Sequence, residues 1–98
     1  MRVLLTVAMD TDKANQAIRN NTLEQTMKSA LDAVKPEAVF FAAKDGKRTG
    51  YIVFDLADPA DIPGVCEPFF QELGAEIDLV PVMDLADVQA GLQRYAAH

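Results

Sequence analysis

The sequence has one cysteine, one histidine and no tryptophan. A lone Cys66 cannot close an intrachain disulfide, a usage that suits a reducing cytoplasm. The histidine is His98, the last residue, and terminal residues are usually held by few contacts. Paired CxxC cysteines, glycine-rich phosphate loops and a GxSxG nucleophile turn are all missing. Asp10-Thr11-Asp12 is too short for a calcium loop and reads as a helix cap. The expectation is therefore a chain with no cofactor and no metal.

Long apolar runs are also missing, since none approaches the roughly 20 residues of a membrane helix. MRVLLTVAMD has too short an apolar stretch for a signal peptide and reads as a first strand, so no membrane partner is expected. Cations are scarce. The net charge is −6, which argues against nucleic acid, where Lys and Arg must neutralise phosphates. Eight of the nine Lys and Arg lie in residues 1–50, and Arg94 alone serves residues 51–98.

What remains is apolar and regular. Half of the 98 residues are hydrophobic, which suits one globular domain over 1–98. Arg2–Ala8 predicts a strand, and Ala14, Ala17 and Ile18 recur at helical spacing behind Asp10 or Thr11 as cap. The pattern breaks at Arg19-Asn20-Asn21. It restarts with Leu23, Met27, Ala30, Leu31 and Val34, after a capping-box form in which Thr22 caps and Gln25 follows three residues on. Asp58-Pro59 predicts another helix start. The stripe Ile62, Val65, Cys66, Phe69, Phe70 and Leu73 then contains Pro68, which predicts a kink or a late start near Asp61. Glu76–Met83 is the fourth strand, and Pro81 predicts that it lies at a sheet edge or ends early. Asp84 with Asp87 opens a last helix striped by Leu85, Val88, Leu92 and Tyr95.

Asp45-Gly46 supplies the register. These residues tolerate the positive φ of a two-residue hairpin turn between strands Glu37–Lys44 and Lys47–Leu56. Lys44 then lies opposite Lys47, Phe41 opposite Gly50, Phe40 opposite Tyr51 and Val39 opposite Ile52. Opposed residues share a face, so every strand divides in two. One set, with Val3, Leu5, Val7, Val39, Phe41, Ala43, Ile52, Phe54, Leu56, Ile77, Leu79 and Pro81, has no polar member and belongs under the helices. The other has an apolar centre of Leu4, Phe40, Ala42, Val53 and Val80 with Thr6, Tyr51 and Asp55 among them.

The order is β-α-β-β-α-β-α. Its first six elements predict an α+β, ferredoxin-like sandwich with a four-stranded antiparallel sheet, followed by a C-terminal helix. The second face is too apolar to leave in water. Covering a few hundred Å² at roughly 25 cal/mol per Å² stabilises an assembly by several kcal/mol. A homodimer joined through that face is the expected cover, and the C-terminal helix folding back is the weaker one.

This layout resembles the dimeric α+β barrel superfamily of ferredoxin-like proteins. The run KPEAVFFAAKDGKRTGYIVFDLADPADIPGVCEPFFQELGAEIDLVPVM, with its DPADIP…EPFF segment, is similar to a small bacterial family grouped as a domain of unknown function. The resemblance implies a fold and a dimer. Enzymes and haem binders of the superfamily usually use a pocket His, which this chain does not offer.

Candidate ligand-binding residues are Thr6, Phe40, Tyr51 and Asp55 on the second face, and Arg19, Asn20 and Asn21 at the helix break, where Arg19 suits an anionic group. No catalytic residue is assigned. The favoured reading is a protein that binds a small, mainly apolar metabolite with a polar end. The alternative is a cofactor-independent oxygenase- or isomerase-like enzyme using Tyr51, Asp55 or Thr6. A dimer without ligand is the third.

Overall fold

A computed structural model describes residues 1–98. The elements are β1 (Arg2–Ala8), α1 (Thr11–Arg19), α2 (Leu23–Val34), β2 (Ala38–Lys44), β3 (Lys47–Asp55), a 3₁₀ turn (Pro59–Asp61), α3 (Ile62–Leu73), β4 (Glu76–Pro81) and α4 (Leu85–Ala96). The sheet is antiparallel with strand order β2-β3-β1-β4, the ferredoxin-like arrangement.

The β2–β3 turn is built as its two residues require. Asp45 and Gly46 both have positive φ, 53° and 78°. The hairpin register is the expected one, with Lys44 opposite Lys47, Phe41 opposite Gly50 and Phe40 opposite Tyr51. Gly50 is buried under the Phe41 ring, since a Cβ there would lie 3.2 Å from Phe41 Cε1.

The helices follow their caps. The Asp10 carboxylate accepts from the Lys13 N–H at 3.0 Å and starts α1. The break between α1 and α2 passes through Asn21 at φ 58°, a conformation Asn tolerates. The expected capping box at Thr22 does not form. The Thr22 hydroxyl instead donates backward to the Ala17 carbonyl at 3.3 Å, because Thr22 has helical backbone angles and closes the tight corner. Asp58 caps the 3₁₀ turn by accepting from the Ala60 N–H at 2.9 Å, and the α-helix begins only at Ile62. Pro68 still lies inside α3 as its seventh residue, and its missing N–H leaves the Gly64 carbonyl without a helical donor. Strand β4 lies at the sheet edge and ends at Pro81, two residues before the expected Met83, because Pro has no N–H for the ladder.

One side of the sheet makes the core. Val3, Leu5, Val7, Ile52, Phe54 and Leu56 are buried against Ala14, Ala17, Ala30, Cys66, Phe69 and Leu73 of the helices. Burial pushes the Cys66 thiol up, so it stays a neutral packing group. The expectation that the whole apolar set lies beneath helices fails on two edges. Phe41 is 56% exposed, and Ala43 and Pro81 are exposed, because the helix layer is narrower than the sheet.

Helix α4 stands apart. None of its residues is buried, Val88 and Ala90 are half-buried, and no other element packs extensively against it. The radius of gyration is 15.8 Å, against about 13 Å for a compact chain of this length, and the long dimension is 56 Å. No helix is long and apolar enough to cross a membrane.

The Phe69 side chain joins the helix layer to the sheet and is 1% exposed. Phe69→Ala is expected to cost about 3–5 kcal/mol in urea unfolding, the usual range for a buried Phe. A loss below about 1 kcal/mol would show that α3 does not pack as described.

Candidate functional site

The strand register sets four of the candidate residues on the side of the sheet that carries no helix. Phe40, Tyr51 and Thr6 are successive partners across β2, β3 and β1, and Asp78 of β4 is opposite Thr6. They form one row across the sheet, with neighbouring side chains about 5 Å apart. Phe40 is 69% exposed, while Tyr51 and Thr6 are half-buried. Leu4, Val53 and Val80 form the next row, and Val80 is 46% exposed.

Asp55 lies on the same face but at its lower end, opposite Arg2. Its carboxylate accepts from the Met1 ammonium at 2.6 Å, and both groups are exposed. The structure therefore brings Thr6, Phe40 and Tyr51 together and keeps Asp55 outside their row. Arg19, Asn20 and Asn21 lie in the other layer, at the α1–α2 corner. Arg19 sits in the last turn of α1, where a cation favours the helix dipole. Asn20 borders a polar hollow of about 240 Å³ with Lys13, Gln16, Gln71 and Glu72. The corner's backbone is satisfied internally, with the Thr22 N–H donating to the Ala17 carbonyl at 2.8 Å.

The largest concavity was not foreseen. It is an open groove of about 800 Å³ between α2 and the β2–β3 hairpin. Leu23, Met27 and Leu31 form one wall, Phe41 and Ala43 the other, and Met9 is buried at its base. Glu24, Lys28 and Asp32 line its α2 side and Arg48 its hairpin side, and none of the four is in an ion pair. The groove follows from the narrow helix layer, which leaves the outer half of β2 bare. Two signals in the sequence point to it: the i, i+4 pair Lys28 and Asp32 flanking the α2 stripe, and Arg48 on the core-side parity of β3.

Charges also mark the open face. Lys47 donates to Glu76 at 3.0 Å on that face. At the other end Arg2 Nε binds both Glu37 oxygens, at 3.0 and 3.2 Å, and Arg2 Nη1 binds Asp84 at 3.2 Å. Asp84 caps α4 in a reciprocal box with Asp87, accepting from the Asp87 N–H at 2.8 Å while its own N–H donates to Asp87 at 3.2 Å. The Asp87 N–H, then Arg2, hold the Asp84 carboxyl below the usual carboxylate range.

No cluster of three or more His, Cys, Asp or Glu side chains could hold a metal ion. The chemistry on offer is hydrogen bonding from Tyr51 and Thr6 on one face, and an apolar groove with cationic and anionic rims on the other.

Residues 1–96 match the model of a protein family described as a domain of unknown function, DUF3303. The chain belongs to that family. A search of curated proteins found no match. Among solved structures the family fold is similar to Ferredog-Diesel, a de novo designed protein, at 9% identity and a TM-score of 0.50, covering 83% of this chain and 85% of that one. At that identity the likeness shows the ferredoxin-like fold alone.

A depressed Asp84 pKa stabilises the capped state above the unfolded value, and the contribution is lost as pH falls through the folded value. Circular dichroism is expected to show helix loss as pH drops below the ordinary carboxylate range. Asp84→Asn is expected to shrink that acid step. An unchanged step would remove Asp84 as its origin.

Proposed function

We propose that this protein is a homodimeric binding protein that holds a small, mainly apolar metabolite with an anionic end in the groove between α2 and the β2–β3 hairpin. The observation that carries the reading is the groove: about 800 Å³, with an apolar floor and a rim where Lys28 and Arg48 stand unpaired beside Glu24 and Asp32. That size lies within the range of ligand sites, which are mostly apolar with a few polar groups that fix orientation. Arg48 offers a carboxylate two parallel hydrogen bonds, and the Met27 side chain adapts to varied apolar shapes. The reading moves the polar end of the ligand from Arg19 to Arg48 and Lys28.

The dimer forms through the open face, as in the dimeric α+β barrel proteins the layout resembles. Phe40, Tyr51, Val53, Leu4 and Val80 make the apolar patch that needs a cover. Charge supports a second copy as that cover. Lys44 stands at the β2 edge of this face, and Glu76 and Asp78 stand at the β4 edge, toward the same end of the sheet. A two-fold axis parallel to the strands lays the β2 edge of one copy over the β4 edge of the other, which brings Lys44 to the acidic pair. The assembly also encloses Thr6 and Tyr51, which is the support for the second reading, an oxygenase- or isomerase-like enzyme. In that case Tyr51→Phe abolishes turnover.

Decanoate serves as the probe for the groove. Titration into the ¹⁵N-labelled protein is expected to shift the amides of Lys28, Phe41 and Arg48. Leu31→Glu is expected to weaken the binding at least tenfold and Tyr51→Phe to leave it unchanged. Shifts confined to Thr6, Tyr51 and Val53 would move the site to the open face, and no shifts would refute this ligand class.

For the interface, Phe40→Glu is expected to raise the dimer dissociation constant about a hundredfold or more. Lys44→Glu is expected to weaken it less and to be partly restored by Asp78→Lys. Equal association of wild type and Phe40→Glu would place any dimer elsewhere.

A further inference from the structure

Three features of α4 call for an occupant outside its own chain. Its stripe is largely bare, with Leu85 73%, Leu92 64% and Tyr95 72% exposed and Val88 half-buried. It is a twelve-residue helix, and isolated helices shorter than about 12–15 residues are marginal in water. Its start is nonetheless fixed by a complete capping box, so its N-terminus is specified while its side is largely unsupported.

Its point of departure is fixed. The Val82 N–H donates to the Arg2 carbonyl at 3.1 Å, and the Arg2 guanidinium binds Asp84 at 3.2 Å. Arg2 shares a face with Asp55 and Thr6, so α4 starts at the rim of the open face and leads away from its own protomer. It points to wherever the cover of that face lies.

Area points the same way. Four strands about 4.8 Å apart, with roughly six residues of about 3.4 Å each, present roughly 400 Å² of projected face. A stable interface takes about 800 Å² from each partner. A helix of this length and about 10 Å width projects roughly 180 Å². An exchanged helix adds its own area to the contact on each copy, so the exchange enlarges the buried surface toward that of a standard interface.

We infer that α4 is an exchanged arm. In the two-fold assembly each α4 lays its Leu85, Val88, Leu92 and Tyr95 stripe on the second copy, along edge strand β2 beside Phe40. The inference rests on the homodimer proposed above. Arg2 is the positioning residue that aims the arm.

Mixed dimers of ¹³C,¹⁵N-labelled and unlabelled chains test it by isotope-filtered NOESY. The expected result is interchain cross-peaks from Leu92 and Tyr95 to Phe40. Leu92→Asp, at an exposed position that folding does not need, is expected to raise the dissociation constant about tenfold or more. Arg2→Ala is expected to weaken the same cross-peaks. A dimer whose interchain cross-peaks join only the open faces would overturn the exchange and leave the dimer standing. A monomer would overturn both.

Discussion

The pairing of β2 with β3 through the Asp45-Gly46 turn is the constraint on which the rest depends. It puts Ile52, Phe54 and Gly50 on one side of β3 and Thr49, Tyr51 and Val53 on the other. Both sides are apolar enough to need cover, because a side-chain period of two sends consecutive apolar residues to opposite faces. The chain has helices for only one of them. A shift of register by one residue would carry Phe54 and Ile52 out of the core and Tyr51 into it.

From that single excess of apolar surface the remaining features follow. The helix layer covers β1, β3 and the inner part of β4, but falls short of outer β2, and the shortfall is the groove. The Phe41 ring covers Gly50 and forms part of the groove wall, so hairpin stability and site shape share one residue. On the opposite face the excess is larger. Helix α4, which in principle could fold back, is held by Arg2 and Asp84 at the rim and buries none of its own residues there.

Much of the fold was legible because local chemistry and global layout agree. Gly46 permits one turn and therefore one register, Asp10 and Asp58 accept from the N–H groups of their own first turns, and Pro81 ends an edge strand. Thr22 misled because capping needs extended backbone at the cap, and the tight α1–α2 corner denies it. The site was less legible. Residue parity placed Thr6, Phe40 and Tyr51 in one row, yet it could not show that Asp55 would be held by the Met1 ammonium. The groove depends on the width of the helix layer relative to the sheet, a property of packing that the Lys28–Asp32 spacing and the parity of Arg48 accompany without giving its size.

The central claim is that a second copy of the chain covers the open face, and its most direct test is sedimentation velocity from nanomolar to hundred-micromolar concentration. The account requires a species of twice the 10.7 kDa chain mass through the micromolar range, dissociating only on dilution. A 10.7 kDa species at every concentration would contradict it and leave Phe40, Val53 and Val80 as a solvated face.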